Sequence, residues 1–392
     1  MTTLIDTDLL SDVQRFGAAD VSACFSCGTC TAICPLSDND GTFPRRIIRY
    51  AQVGMRDELL SSKELWTCYH CGLCSDSCPT EADPGEFMAA ARRYAIASYE
   101  PTGLARILYT RPVVGSLIAT AVAMFFAVFM YAARGPQDDA ASLTLFEFIP
   151  EELIHLTGIA VMGVMALAGL IGIVTMARRV ARHEGVSLTT MLGGRAPLTR
   201  TISALFSALG VESLGQRRYR EDCKDDPPAE PWYRRRWLIH ALTIWGFLGL
   251  LAATVLDWGL ALTGVKETGT PIPLWYPSRL IGTLAGISLL YGVSLFMANR
   301  VRQVNRAAKV STASDWLLLV LLWITGATGF FIEAALYLPE APAWGYWVFL
   351  FHVAVAMELM LFLPFTKFAH AIYRPVALFF YALAADKSKQ AA

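Results

Sequence analysis

The sequence predicts an all-α protein in which a helical domain for two [4Fe–4S] clusters precedes a six-span transmembrane bundle. Eight of the nine cysteines form two copies of one short pattern near the start of the chain. From Pro112 onward, six apolar runs of about twenty residues alternate with polar connections, and such runs are long enough to cross a bilayer. A hydrophobic content of 55% and a mean hydropathy of +0.43 agree with a membrane protein.

The repeated pattern is Cys-x2-Cys-x2-Cys-x3-Cys-Pro. This spacing is typical of bacterial ferredoxins, in which three cysteines of one run bind one cluster and the fourth binds the other. The first predicted cluster therefore has Cys24, Cys27, Cys30 and Cys78 as ligands. The second has Cys68, Cys71, Cys74 and Cys34.

Structural zinc sites and disulfides are the alternative interpretations of these cysteines. Zinc sites usually take two separated Cys-x2-Cys pairs rather than four cysteines in one short run. Disulfides require an oxidising compartment, and no positively charged stretch followed by an apolar segment opens the sequence. We therefore expect clusters in a domain that stays in the cytoplasm.

The polar N-terminal region, residues 1–100, is expected to be helical throughout. Residues 44–53, between the two cysteine runs, have apolar side chains at helical spacing, and residues 86–99 are rich in alanine and arginine. No alternating strand pattern is present. A helical two-cluster domain is thus favoured over the small β-rich ferredoxin.

The remaining residues, 101–392, are predicted to form the membrane domain. Its spans are expected at about 112–133, 152–177, 237–262, 279–298, 315–338 and 344–369, with a basic loop at 178–236. Arginines concentrate in that loop and in the connection after the fourth span. By the positive-inside rule both termini are cytoplasmic, and the chain is a multi-pass protein of the cytoplasmic (inner) membrane.

Four of the six histidines lie in or beside these spans: His155, His240, His352 and His370. A histidine inside a membrane suggests a functional site, although hydrogen bonding between helices is the simpler alternative. His352 and His370 are eighteen residues apart, so a continuous helix would place them on one face about 27 Å apart. This arrangement suits two stacked b haems.

Depth in the membrane predicts the partners of these ligands. His240 and His370 both lie towards the cytoplasmic side, whereas His155 and His352 lie towards the outside. We expect His240 to pair with His370, and His155 with His352. If His155 cannot reach, the chain holds one haem b, or a second one ligated by His352 alone.

The motifs CFSCGTCTAICP and CYHCGLCSDSCP resemble the small iron–sulfur subunit of heterodisulfide reductase. The eighteen-residue histidine spacing resembles the membrane cytochrome b of the heterodisulfide reductase and nitrate reductase gamma families. A chain that joins both resembles the membrane-subunit family of the quinone-interacting membrane-bound oxidoreductase (Qmo) complex. Unlike the gamma family, this chain has Leu250 ten residues after His240, and its first span is additional.

This resemblance implies an electron-transfer component of a quinone-dependent oxidoreductase. Electrons would pass between membrane quinone, menaquinone in particular, and the flavin- and iron–sulfur-carrying subunits of a Qmo-like complex, with adenylylsulfate reductase beyond them. The sequence identifies no catalytic residue, and no nucleic-acid partner is expected. Two alternatives stay open, a membrane component of a heterodisulfide reductase-like complex and a membrane anchor with structural clusters.

Overall fold

The structure is a computed structural model that describes residues 4–37, 43–135, 143–185, 198–222, 231–266, 272–304, 306–338 and 342–390. Parts of the predicted basic loop, 186–197 and 223–230, lie outside the described residues. The described residues form helices and connecting turns, with no strand among them, which confirms the predicted all-α class.

The N-terminal domain is built from short helices around a compact apolar core. The helices are α1 (Leu9–Gln14), α2 (Thr29–Ile33), α3 (Arg45–Gln52), α4 (Arg56–Ser61), α5 (Glu64–Thr67), α6 (Leu73–Asp76) and α7 (Pro84–Tyr99), with a 3₁₀ turn at Ala19–Ala23. The longest helix, α7, crosses the centre, where its Phe87 and Tyr94 pack with Ile47 and Trp66, all of them fully buried.

The two cysteine runs adopt the same local turn. Gly28 and Gly72 follow the second cysteine of each run and have φ values of +95° and +94°, a region that favours glycine because it lacks a Cβ. A short helix starts after each glycine, α2 in the first run and α6 in the second, and it carries the third cysteine. The chain thus presents both cysteine runs through equivalent loops.

Among the described residues of the membrane domain, six segments are long and apolar enough to cross a bilayer, as the sequence predicts. Its helices in chain order are α8 (Leu104–Thr110), α9 (Pro112–Ala132), α10 (Leu145–Phe148), α11 (Glu151–His183), α12 (Leu198–Phe206), α13 (Arg217–Asp222), α14 (Arg236–Leu262), α15 (Pro277–Arg302), α16 (Arg306–Lys309), α17 (Ala313–Leu336), α18 (Ala343–Phe362) and α19 (Ala369–Gln390). The spans are α9, α11, α14, α15, α17 and the segment that begins with α18.

The last span is broken, so its predicted continuous helix is wrong. Helix α18 ends at Phe362, a 3₁₀ turn follows at Leu363–Phe365, and α19 starts at Ala369. Pro364 lies in this turn and has no backbone N–H with which to continue a helix. His352 and His370 therefore lie on two different helices, and the predicted common face with a separation of about 27 Å does not exist.

The N-terminal domain lies against one end of the bundle, which we call the cluster end. Helix α11 reaches into the domain there, and Arg179 forms an ion pair with Asp57 at 3.0 Å. Just beyond α11, Glu184 accepts a hydrogen bond from Lys63 at 2.7 Å. Helix α19 also packs on α5 through Tyr373, whose ring centroid lies 5.2 Å from that of Trp66.

Close packing of α14 against α15 fixes the position of His240 in the bundle. A Cβ on Gly246 would lie 2.6 Å from the backbone nitrogen of Leu289, and one on Gly292 would lie 2.9 Å from the carbonyl oxygen of Ile239. Small residues let transmembrane helices approach this closely. Ile239, next to His240, is consequently buried against α15.

Candidate functional site

The fourth cysteine of the first run lies with the first three cysteines of the second run. Cys34, Cys68, Cys71 and Cys74 line one cavity together with apolar residues that include Phe43 and Met88. Burial, together with the charges of Cys68 and Cys71, raises the pKa of the Cys34 thiol to about 12. Because a metal binds the thiolate, filling this site would release protons.

The other four predicted ligands meet near the surface of the domain. Burial raises the pKa of the Cys30 thiol, and the neighbouring charges of Cys24, Cys27 and Cys78 add to that effect. Cys27 is exposed, and a hydrogen bond with Thr29 lowers the pKa of its thiol. The two predicted cysteine sets therefore differ in position, one enclosed near the membrane domain and one open at the surface.

Among the described residues, no three His, Cys, Asp or Glu side chains stand close enough to share a single metal ion. A [4Fe–4S] cluster makes a different demand, because its thiolates bind different iron atoms of a larger unit. The chemistry of the donor set, four thiols around each site, fits that unit.

Three arginines converge on the loop of residues 66–71, which we call the second-cluster loop. Arg92 of α7 donates to the Cys68 carbonyl at 3.2 Å. Arg374 of α19 donates to the carbonyls of Trp66 at 3.0 Å and Thr67 at 3.3 Å. Arg236 of α14 donates to the carbonyls of His70 at 3.0 Å and Cys71 at 3.2 Å.

His240 and His370 lie directly beneath this loop, on α14 and α19. His240 lies on the helix whose Arg236 contacts this loop, and His370 lies on the helix whose Arg374 contacts it. The His370 ring packs on Trp66 with centroids 6.0 Å apart, and its Nδ1 is buried without a hydrogen-bond partner among the described residues. Both histidines of the predicted inner pair therefore lie on helices that contact the second-cluster loop, and their pairing stays a prediction.

The other side of His240 is held by Gln216 and Tyr219. Nδ1 of His240 lies 3.1 Å from Oε1 of Gln216, and the Tyr219 ring lies 5.4 Å from the imidazole. When Nδ1 carries the proton and donates to the amide oxygen, Nε2 is unprotonated and can bind a metal. This contact therefore selects the tautomer that a haem ligand requires.

Gln216 was not identified from the sequence. It follows a π-helical segment, Ser207–Leu214, whose last carbonyl accepts a hydrogen bond from Trp245 Nε1 at 3.1 Å. Gln216 itself is buried and has a φ of +50°, which is uncommon outside glycine. π-Helical turns are rare and often occur at functional sites, but they have no sequence signature that would have indicated this one.

The second predicted histidine pair is not brought together. Nδ1 of His352 lies 2.8 Å from Thr328 Oγ1 on α17. The His155 side chain is 43% exposed, approaches Glu151 at 3.9 Å and packs edge-on against Trp258. No hydrogen bond or ring contact joins the two histidines, although both belong to the described part of the chain.

These observations separate the two predicted haem sites. The His240–His370 site offers two imidazoles on helices that contact the second-cluster loop. Nδ1 of His240 is bonded to Gln216, and Nδ1 of His370 is buried and lacks a partner among the described residues. Bis-histidine ligation uses the remaining Nε2 atoms, so these residues fit a haem. At the other site, His352 has no second imidazole of the described chain beside it, and the expected pair does not fit.

Comparison with known proteins gives separate matches for two parts of the chain. Residues 20–82 match the 4Fe-4S dicluster domain family. A subunit of the H₂:CoB-CoM heterodisulfide, ferredoxin reductase of Methanothermobacter thermautotrophicus is 39% identical over 62 residues, 16% of this chain and 34% of that protein. The iron–sulfur subunit of a Methanopyrus kandleri CoB–CoM heterodisulfide reductase is 46% identical over 46 residues, 12% of this chain and 24% of that protein. The predicted resemblance to the small iron–sulfur subunit is thereby confirmed for the N-terminal region.

Other matches carry the name Citrate utilization protein B. Citrate utilization protein B of Escherichia coli is 31% identical over 170 residues, and the match spans 43% of each protein. The chain thus spans less than half of the curated relatives that it matches. The family described as Citrate utilization protein B matches residues 137–392, well over half of the chain. The chain therefore belongs to the Citrate utilization protein B family and carries a 4Fe-4S dicluster domain before the region that the family covers.

Proposed function

We propose that this chain passes electrons between membrane quinone and a cytoplasmic flavin- and iron–sulfur-containing partner. The observation that supports this function best is the placement of the second-cluster loop directly over His240 and His370, with Trp66 against His370. An electron carrier bound by the histidines would lie next to a carrier bound by the cysteines. The 4Fe-4S dicluster match and the match to part of a reductase support a redox role.

The two clusters have the crossed ligands that the sequence predicts. Cys34 completes the enclosed cluster with Cys68, Cys71 and Cys74, since all four line one cavity. Cys78 completes the exposed cluster with Cys24, Cys27 and Cys30. The enclosed cluster exchanges electrons with the membrane domain, and the exposed cluster exchanges them with the partner.

His240 and His370 bind one haem b at the cluster end of the bundle. The haem, when bound, supplies one-electron transfer within the lipid, where no iron–sulfur ligands are available. The protein holds the His240 tautomer through Gln216 and shields the site with Tyr219 and Trp66. The contacts of His155 and His352 favour one haem rather than two.

The basic connections orient the chain with the cluster domain and both termini in the cytoplasm. Arg179 near the end of α11, and Arg300 and Arg302 in the last turn of the fourth span, lie at the cluster end. By the positive-inside rule that end faces the cytoplasm.

The identity of the partner rests on two resemblances. Similarity to the Qmo complex favours flavin and iron–sulfur subunits linked to adenylylsulfate reductase. The heterodisulfide reductase relatives are, by their names, single subunits of a reductase and support a similar multi-subunit complex. A relative named for citrate utilization favours instead a partner from carboxylic acid metabolism. Identification of the flavoprotein that copurifies with the full-length chain decides between them.

Cofactor analysis of the full-length chain in detergent tests the proposal. We expect iron for two cubanes, one haem b, and reduction of that haem by a quinol analogue. His240→Ala and His370→Ala should lose the haem and keep the iron, whereas His155→Ala should keep both. Purified protein with full iron but without a b-type spectrum would contradict electron transfer through haem and would favour a membrane anchor with structural clusters.

A further inference from the structure

We propose that Arg236 and Arg374, with Arg92, position the cluster of Cys34, Cys68, Cys71 and Cys74 over the histidine pair and raise its reduction potential. This inference deepens the proposed function and depends on it for the identity of the carriers. It assigns a role to three positively charged side chains that neither the cysteine motif nor the histidine pattern includes.

The first support is the number of backbone groups that these arginines hold. Of the six residues in the second-cluster loop, five have carbonyl oxygens that accept a hydrogen bond from one of the three guanidinium groups: Trp66, Thr67, Cys68, His70 and Cys71. The carbonyls of Trp66 and Thr67 have no helical partner because α5 ends at Thr67, and those of Cys68, His70 and Cys71 lie in the loop after it. A guanidinium offers five donors in a rigid plane, so one side chain can hold several carbonyls at once.

The second support is the spacing between arginine and histidine on the two membrane helices. Arg236 precedes His240 by four residues on α14, and Arg374 follows His370 by four residues on α19. Residues four apart lie on the same face of a helix, one turn above the other. Each helix therefore presents a histidine towards the membrane and an arginine towards the cluster loop. Movement of either helix would displace both groups together.

The third support is charge. Nη2 of Arg92 is buried and lacks a hydrogen-bond partner among the described residues, so its charge acts in a poorly solvated region. The exposed cluster has a different surrounding, with Arg45 donating to the Ser26 carbonyl at 3.5 Å beside an exposed Cys27. The helices of His240 and His370 therefore each place an arginine, Arg236 or Arg374, next to the enclosed cluster site and not next to the exposed one.

The electrostatic consequence follows from the redox step. Reduction of a cubane held by these cysteines would add one electron and change no covalent bond, with the haem proposed above as the electron donor. The added negative charge is stabilised by nearby guanidinium groups, and net charge and hydrogen bonding are known determinants of cluster potential. Removal of an arginine should therefore shift the potential of the enclosed cluster to a more negative value.

The test is a redox titration of the full-length protein followed by electron paramagnetic resonance of the reduced clusters. Arg236→Gln and Arg374→Gln should each shift one cluster to a more negative potential and leave the other unchanged. Arg236→Lys and Arg374→Lys should shift it less, because lysine keeps the charge but loses the planar donor set. Cys27→Ser, which alters the exposed cluster, identifies which signal belongs to which site.

Arg179→Gln is the matched control. Arg179 also joins a membrane helix to the cluster domain, through Asp57, but its described hydrogen bond and ion pair do not involve the second-cluster loop. This variant should leave both potentials unchanged. The inference would be overturned if Arg179→Gln shifted a cluster potential as much as Arg374→Gln does. It would also be overturned if Arg236→Gln and Arg374→Gln both kept their full iron content and the wild-type potentials.

The titration also distinguishes this inference from the proposed function. The absence of haem from the wild-type protein would contradict the proposed electron path, yet the cluster potentials would still report whether the arginines tune one cluster. Conversely, a haem-containing protein whose loop variants titrate like the wild type would retain the proposed function and lose this inference.

Discussion

The rings of Trp66 and His370 lie 6.0 Å apart at an interplanar angle of 30°, which joins the cluster domain to the bundle. Trp66 is fully buried and precedes the second cysteine run by two residues. His370 belongs to α19. The indole therefore fills the space between the predicted haem ligand and the predicted cluster ligand Cys68.

Trp66→Phe should slow electron transfer between haem and cluster without removing either cofactor. A smaller ring leaves a gap between the two cofactors, and the rate of electron transfer falls when fewer protein atoms fill the space between them. Phenylalanine is the appropriate replacement, since truncation of a buried tryptophan to alanine costs about 3–5 kcal/mol and would unfold part of the domain. Stopped-flow oxidation of the reduced haem measures the rate, and iron and haem contents serve as the control. An unchanged rate would exclude Trp66 from the path.

The crossed assignment, in which the fourth cysteine of each run binds the cluster of the other run, can be tested with Cys34→Ser and Cys78→Ser. Cys34→Ser should alter the enclosed cluster, although the residue belongs to the first run. Cys78→Ser should alter the exposed cluster in the same crossed manner. Each variant should lose the resonance of one reduced cluster and keep that of the other. If Cys34→Ser instead changed the signal that Cys27→Ser changes, the crossed assignment would be wrong.

Much of this arrangement can be predicted from the sequence because it depends on local patterns. The cysteine spacing predicts which thiols come together, and the apolar runs predict the six spans. Depth along the spans places His240 beside His370. The same argument fails for His155, because depth does not determine which side of a helix faces the bundle, and the His155 side chain is 43% exposed.

The other differences have separate physical causes. Pro364 stands within the last apolar run, and its missing N–H ends α18 where hydropathy alone predicts a continuous span. Gln216 reaches His240 through a π-helical turn that no residue pattern indicates. By contrast, the four-residue spacing of Arg236 to His240 and of His370 to Arg374 is present in the sequence. The sequence does not show what these arginines contact, because that depends on the position of the second-cluster loop relative to both helices.

Gln216→Leu should raise the haem potential and weaken haem retention. Donation from His240 Nδ1 to the amide oxygen makes the imidazole a stronger ligand, which favours ferric iron. Loss of such a supporting contact typically weakens metal binding or activity by about 10- to 100-fold. Gln216→Glu, which offers a stronger acceptor, should shift the potential in the opposite direction. An optical redox titration measures both variants.

Thr328→Val provides the control for this prediction. It removes the equivalent contact to His352 on the far side of the bundle. If His240 and His370 bind the haem, Thr328→Val should leave its potential unchanged. A shift in Thr328→Val together with none in Gln216→Leu would assign the haem to His352 instead.

Acid should weaken the contact between Glu184 and the cluster domain. Burial alone would raise the pKa of Glu184, but hydrogen bonds from His183 and Lys63 outweigh it and hold the pKa at about 2, below the ordinary 4.5. A lowered folded-state pKa contributes stability above the unfolded value, and this contribution is lost as the pH falls from about 4.5 towards 2. The effect should therefore be fully present at neutral pH.

Hydrogen exchange of α4 and of the end of α11 can follow this contact. Glu184→Gln should increase exchange at neutral pH, and its difference from the wild type should shrink as the pH falls below about 4.5. The clusters are labile to acid in both proteins, so comparing the two proteins at the same pH cancels the effect of cluster loss on hydrogen exchange. A difference that stayed constant down to the lowest pH would show that the carboxylate charge is not responsible.

Gly246→Ala should disturb the haem site through helix packing alone. Its new methyl group would lie 2.6 Å from the Leu289 nitrogen and 2.8 Å from the Ala285 carbonyl oxygen, so α14 and α15 must separate. Overpacking of this kind costs about 1–3 kcal/mol, and the shift moves His240 away from His370. Gly259→Ala on the same helix is the matched control, because its Cβ would meet nothing within 4 Å. Thermal release of haem, followed optically, should occur at a lower temperature in Gly246→Ala only, since backbone atoms, unlike side chains, cannot rotate away from the added methyl group.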